Sequence, residues 1–136
     1  MRRITIARRV YYDDTDAAGV MYHTHYLRYM EHARSDLLQA HELAPPQLAE
    51  RYGVVFVVAR LEVEYRAPAR LGDALEVDAV VVEVGRVGLD FEQAVRRSGS
   101  ENPLCRARVQ VACLDAARFR PVRIPDAVRE CLHHAE

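Results

Sequence analysis

The sequence predicts an α+β domain in which one antiparallel sheet covers one long helix. Two observations carry this. A single segment near the N-terminus has helical spacing, with Tyr26, Tyr29, Met30, Ala33, Leu37 and Ala40 on one stripe and Arg28, Asp36 and Gln39 off it. The remaining apolar segments alternate with period two or run continuously for a few residues, and tight turns separate them. A lone amphipathic helix of this kind needs a sheet face to bury its stripe.

Each element follows in order. Residues 3–12 mix β-branched and aromatic residues in rough alternation and read as a strand. An acidic loop follows. The helix is expected to begin near Tyr26 with Thr24 as its N-cap, and Pro45 and Pro46 stop it or its short continuation. A further helical turn is expected over Gln47 to Arg51. After Gly53 the period changes. Val54 to Val58 is an apolar run, and Leu61, Val63 and Tyr65 then alternate with Glu62, Glu64 and Arg66. This reads as one long strand, buried on both faces at its start and half-buried later. Residues 67–73 turn the chain, Leu75 to Val84 is a strand, and Gly85 to Gly88 turns it again. Leu89, Phe91, Gln93 and Val95 mark the next strand. Cys105, Ala107, Val109, Val111 and Cys113 mark one face of the last, with Arg106, Arg108 and Gln110 on the other. Pro121 to Pro125 breaks the pattern, and Asp126 is expected to cap a short helix to His133. No repeat or linker divides residues 1–136, so a single domain is expected.

Composition narrows the function. Half the residues are apolar, 29% are charged and the formal net charge is −1. A nucleic-acid binder or membrane-surface protein would show a basic excess. All 19 basic residues are arginine, so no lysine Schiff base and no P-loop lysine exist. Cys105, Cys113 and Cys131 are odd in number and lack C-x-x-C spacing, which excludes a disulfide framework or zinc site by pattern. Cys105 and Cys113 are expected in the core. The opening Met-Arg-Arg-Ile-Thr-Ile lacks the apolar run of a secretory signal, and no run reaches the length of a membrane span. A reducing, cytoplasmic location is expected.

The residues fit for chemistry cluster in Asp13-Asp14-Thr15-Asp16-Ala17-Ala18-Gly19-Val20-Met21-Tyr22-His23. A loop entering a helix N-terminus presents backbone N–H groups that have no partner inside the helix. With the helix dipole they suit an anion or oxyanion. A carboxylate ahead of them, Asp16, is then placed to attack a carbonyl or to activate water. Capping and turn formation explain acidic residues in such a loop equally well. The crowding of Asp13, Asp14 and Asp16 predicts that at least one has a close neighbour or a raised pKa. His25, near the helix start, is better neutral than charged. His25 and His32 share a helical face, but no third ligand has matching spacing, and no metal is expected. Glu31 can pair with Arg28 or Arg34 at i, i+3.

The run from Tyr11 to His23, with Tyr26-Leu27, Glu31-His32-Ala33-Arg34 and the later Tyr65-Arg66-Ala67-Pro68-Ala69-Arg70-Leu71-Gly72-Asp73, resembles the signature of hotdog-fold acyl-CoA thioesterases. The likeness is greatest to the YbgC-like branch, associated with the Tol-Pal system and related to 4-hydroxybenzoyl-CoA thioesterase, and it extends to about residue 115. The resemblance implies a hotdog fold and hydrolysis of acyl-CoA, with short-chain or other small acyl groups as the expected substrates. Residue by residue, it implies Asp16 as the catalytic carboxylate and His23 and Tyr12 as further site residues, with the backbone N–H at the helix start polarising the thioester carbonyl. It implies a homodimer or homotetramer with sites between subunits, and no cofactor, since coenzyme A is part of the substrate. An acyl carrier protein is the alternative acyl donor. Arg66 and Arg70 are the arginines expected at the coenzyme's phosphates. At His25 the family usually has a small or modest polar residue.

Thioester chemistry suits so spare a site, because a thiol of pKa near 8.5 leaves without a strong general acid. The competing readings are an aromatic acyl-CoA thioesterase, a hotdog hydratase or dehydratase, whose usual signatures are absent, and a non-catalytic acyl-CoA or acyl-carrier binding module.

Overall fold

The computed structural model describes residues 1–134. Five antiparallel strands form one sheet: β1 (Arg3–Arg9), β2 (Val54–Tyr65), β3 (Ala74–Val84), β4 (Gly88–Arg97) and β5 (Pro103–Asp115). Their order across the sheet is β1-β3-β4-β5-β2. The helices are α1 (His23–Ala40), α2 (Pro45–Tyr52) and α3 (Asp126–His133). The expected α+β arrangement, a sheet wrapped on one long helix, is therefore present.

The helical stripe is buried as its spacing requires. Tyr26, Tyr29, Met30, Ala33 and Leu37 face the sheet, where they meet a core that includes Leu75, Val77, Phe91 and Val95. The inner face of β5 is Cys105, Ala107, Val109, Val111 and Cys113, all buried. On the outer face the side chains are charged and cross-paired. Arg96 Nε donates to Asp78 at 2.9 Å and Arg108 Nη2 to Asp90 at 2.9 Å. At Gly88 the strands approach so closely that a Cβ would lie 2.6 Å from the Val111 carbonyl oxygen.

Three boundaries, and the burial of β2, differ from the sequence expectation. β1 ends at Arg9, because Val10 donates its N–H to the Asp73 carbonyl in a loop rather than to a strand. α1 starts at His23, with Tyr22 in the cap position and no side-chain cap, so Thr24 lies inside the first turn. α3 has Pro125 before it, and Asp126 is its first residue instead of its cap. β2 is an edge strand, and much of it is open. α1 packs on β1, β3 and β4 and the short α2 on β2, which leaves part of the β2 inner face open. Val58, Leu61 and Tyr65 are 49%, 41% and 47% exposed. They stand opposite the inward-facing Val111, Val109 and Cys105 of β5.

Candidate active site

The chain passes from β1 to α1 through one turn of 3-10 helix, Tyr12–Asp14, and a small hairpin. In the hairpin Thr15 bridges Met21. Asp16 N–H donates to Val20 O at 3.0 Å, and Gly19 N–H donates to Asp16 O at 3.0 Å. Gly19 closes the turn at φ 77°, a conformation that other L-residues adopt only with strain. Met21 N–H donates to Ala69 O at 2.8 Å, and Val20 bridges Arg70, so the hairpin is docked on residues 69–70.

Asp14 is the anchor of this junction. It is only 7% exposed. Its carboxylate accepts three hydrogen bonds: from Tyr29 Oη at 2.6 Å, from Tyr11 N–H at 2.9 Å and from His25 Nδ1 at 2.9 Å. Its carbonyl accepts the Tyr22 N–H at 2.8 Å. Burial pushes the carboxyl up, but the three donors and the His25 charge together outweigh it and hold Asp14 below the ordinary carboxylate value. The same contact and burial raise the Tyr29 phenol strongly. The acidic cluster thus has its neighbour, while the pKa shift runs downward, opposite to the raised alternative. His25 has an acid beside it that offsets the positive end of the helix dipole.

Asp16, two residues on, is exposed. One carboxylate oxygen accepts the Ala18 N–H at 2.8 Å, which fixes the side chain and leaves the other oxygen toward solvent. At the far end of the hairpin lies the start of α1. The Tyr22 N–H is used by Asp14, and the His25 N–H donates to Tyr22 O at 2.9 Å. The N–H groups of His23 and Thr24 have no partner among the described residues and sit at the positive end of the helix. The His23 ring packs on Tyr22, with centroids 4.4 Å apart, and lies edge-on to Tyr65 at 6.4 Å. Tyr65 reaches in from β2 and donates its hydroxyl to His23 O at 2.7 Å. Tyr65 and the Asp14 network were missed by sequence reasoning: Tyr65 acts across 42 positions, and spacing does not single out Asp14 among three neighbouring aspartates.

The other expected residues fall around this junction. The Tyr12 side chain is 84% exposed, and its carbonyl accepts the Thr15 hydroxyl at 2.7 Å. Arg66 is exposed and paired with Glu64. Arg70 is exposed beside the hairpin, its N–H donating to Asp73 at 2.8 Å. His32 faces Arg8, whose Nη2 lies 3.3 Å from its Nδ1. Among the described residues no group of three His, Cys, Asp or Glu side chains converges as metal ligands would. A groove of about 540 Å³ lies on the outer face, lined by Asp78, Glu92, Arg106 and Arg108 among others. It is remote from Asp16.

Comparison with known proteins identifies the family. The family model described as the thioesterase-like superfamily matches residues 10–132. The acyl-CoA thioesterase YbgC of Haemophilus influenzae is 40% identical over 126 residues, covering 93% of this chain and 91% of the relative. The acyl-CoA thioester hydrolase YbgC of Escherichia coli O6:H1 is 41% identical over 122 residues, 88% of each chain. The crystal structure of a probable thioesterase from Bartonella henselae superposes with a TM-score of 0.81 at 28% identity, covering 91% of this chain and all of that one. The fold is thus shared with the superposed structure, and the chain belongs to the thioesterase-like superfamily.

Proposed function

We propose that this chain hydrolyses acyl-CoA thioesters to a carboxylic acid and the free coenzyme thiol. The observation that carries the reading is the junction itself. One short hairpin bears the exposed Asp16, and the same hairpin runs into the first turn of α1, where the His23 and Thr24 N–H groups are unpartnered. Asp16, attacking directly or through a water whose proton it takes, adds an oxygen to the thioester carbonyl carbon. The N–H groups of His23 and Thr24 hold the resulting oxyanion. The intermediate collapses with cleavage of the C–S bond, and the thiolate leaves. The water route gives the carboxylic acid at once. On the direct route water then hydrolyses the anhydride left on Asp16 to free the acid. The activity named for the 40%-identical relative supports the reaction class.

Short or otherwise small acyl groups are the expected substrates. A second reading, an aromatic acyl group, is favoured by the partly exposed rings of Tyr22 and Tyr65 beside His23. Arg66 and Arg70, exposed near the hairpin, are our assignment for the phosphates of the coenzyme. The open part of the inner face of β2, with Val58, Leu61 and Tyr65, supports a second copy of the chain as its cover, since a long edge strand with exposed apolar side chains calls for pairing. No helix among the described residues is long and apolar enough to cross a membrane.

The test is thiol release from short aliphatic, long aliphatic and aromatic acyl-CoAs, and from an acyl carrier protein thioester, by wild type and Asp16→Asn in parallel. Turnover by wild type and a loss of about 10²-fold or more in the variant is the expected result. An Asn variant as fast as wild type removes Asp16 from the chemistry. Binding without turnover on every thioester moves the binding module to the front.

A further inference from the structure

We propose that His25 is a positioning residue for the reaction, holding Asp16 and the N-terminus of α1 in fixed relation through Asp14. The inference rests on the proposed thioesterase site and adds a residue to it that does not touch the reacting atoms.

Thioester attack needs Asp16 on one side of the carbonyl carbon and the N–H groups of His23 and Thr24 at its oxygen. Those groups lie at opposite ends of the hairpin. The hairpin's own bonds, Asp16 N–H to Val20 O and the Thr15–Met21 bridge, hold its two arms together. What ties that hairpin to the side chains of α1 is Asp14. Its carbonyl takes the Tyr22 N–H at 2.8 Å. Its carboxylate is gripped by two side chains of α1, His25 at 2.9 Å and Tyr29 at 2.6 Å. Residues four apart lie on the same face of a helix, so His25 and Tyr29 form one two-pronged donor set. The Tyr11 N–H donates at 2.9 Å from the loop side to the oxygen that Tyr29 bonds, so among the described residues His25 is the partner of the other oxygen.

The arrangement is specific in chemistry. Asp14 is ionised and its side chain is only 10% exposed, so each donor removed leaves a buried acceptor short of a partner. His25 is 22% exposed and belongs to the first turn of α1. It is therefore the donor nearest in sequence to the N–H groups that hold the oxyanion. Its Nδ1 must carry a proton to donate to a carboxylate, and it does so whether the ring is neutral or charged. The role is therefore orientation, and no proton need leave His25 during the reaction. Loss of this prong leaves Tyr29, one turn further along the helix, as the remaining side chain of α1 on Asp14, and the first turn is held less tightly relative to Asp16. Small misplacements of this kind act on the chemical step, because rate depends steeply on the alignment of reacting groups.

The experiment compares wild type with His25→Ala, which removes the donor, and His25→Asn, whose side-chain amide nitrogen falls near the place of Nδ1. Two readouts are taken: steady-state thiol release, and amide hydrogen exchange at Asp16 and Tyr22. His25→Ala is expected to lower kcat about 10-fold or more while KM changes by less than about 2-fold. Exchange at Asp16 and Tyr22 should quicken in that variant, and His25→Asn should restore most of both. The proposal is overturned by an unchanged kcat in His25→Ala. It is equally overturned if His25→Asn is as slow as His25→Ala with exchange like wild type, since His25 then acts by its own proton transfer. Absence of wild-type turnover on any thioester defeats the thioesterase reading instead, and the exchange data still decide the linkage. If His25→Ala does not fold, Tyr29→Phe, which removes the other prong, is measured in its place and must show the same split.

Discussion

Tyr65, at the end of β2, donates its hydroxyl to the carbonyl oxygen of His23, the first residue of α1, at 2.7 Å and across 42 positions of sequence. Its ring also stands edge-on to Tyr26, with centroids 5.4 Å apart. The edge strand and the helix start are thereby tied at the point where the thioester oxygen is expected. Tyr65→Phe keeps the ring contact and loses the bond. It should cost about 0.5–1.5 kcal/mol of stability, read by urea titration, and lower kcat/KM severalfold in thiol release. Unchanged stability and rate would show that the bond contributes to neither.

Asp78 gives the stability a pH dependence. Burial pushes its carboxyl up, yet hydrogen bonds from Arg96 and Thr5 and the charges of Arg96 and Arg3 hold it below the ordinary value. A carboxyl depressed by folding contributes stability that is present above its unfolded pKa and lost as pH falls through its folded one. Wild type should therefore lose more stability between pH 7 and pH 3 than Asp78→Asn, measured as the shift in urea midpoint. Parallel curves for the two proteins would contradict this.

Two glycines separate strain from crowding. At Gly19 a Cβ meets nothing within 4 Å, and only φ 77° opposes a side chain. Gly19→Ala should cost about 1–2 kcal/mol. At Gly88 a Cβ would meet the Val111 carbonyl at 2.6 Å, where only backbone movement relieves the clash. Gly88→Ala should be the more damaging of the two in thermal unfolding. The opposite ranking would mean that the β4–β5 approach is looser than described.

The thiols differ in reactivity. Burial pushes Cys105 up to about 12 and Cys113 up to about 11, and both are fully enclosed. Cys131 is partly exposed. A disulfide reagent should modify Cys131 in the native protein, and Cys105 and Cys113 only after unfolding, because the thiolate is the reactive form. Rapid native modification of all three would place the β5 thiols outside the core.

Leu61 tests the cover on β2. It is 41% exposed on the inner side of the edge strand. Leu61→Glu should convert a dimer to a monomer by sedimentation velocity and leave the helical circular dichroism in place. A wild type already monomeric at high concentration would remove the second copy from the reading.

How much of this was legible depends on the range of the interaction. The stripe of α1 and the inner face of β5 follow from local periodicity, and every residue named for them is buried except Ala40, the last residue of α1, which is exposed. The start of α1 did not follow. Thr24 suits a cap by residue type, but the helix begins one residue before it, where Asp14 satisfies the Tyr22 N–H from outside the helix. Spacing also cannot say which of three aspartates is enclosed, since the donors to Asp14 come from residues 11, 25 and 29. Arg34, one of two arginines able to pair with Glu31 at i, i+3, feels the Glu31 charge but donates its hydrogen bond to Gln93 at 2.8 Å, whose amide in turn bonds the Met30 carbonyl at 2.9 Å. An apolar run such as Val54–Val58 signals a need for cover without saying which surface supplies it.

The strand order has a consequence for how the molecule assembles in time. β2 is laddered to β5 alone, and β1 to β3 alone. On a growing chain, α1 and β2 are complete long before β5, and β2 has no ladder partner until residues 103–115 emerge. Tyr65 therefore reaches its place over His23 only as the last strand zips into the sheet. The Asp14 anchor, built from residues 11–29, can form early. Closing such distant pairs is slow, and an unpaired apolar strand waiting on it invites association with other nascent chains. The step most exposed to misassembly is the arrival of β5, and a chaperone that shields β2 until then would act at the right moment.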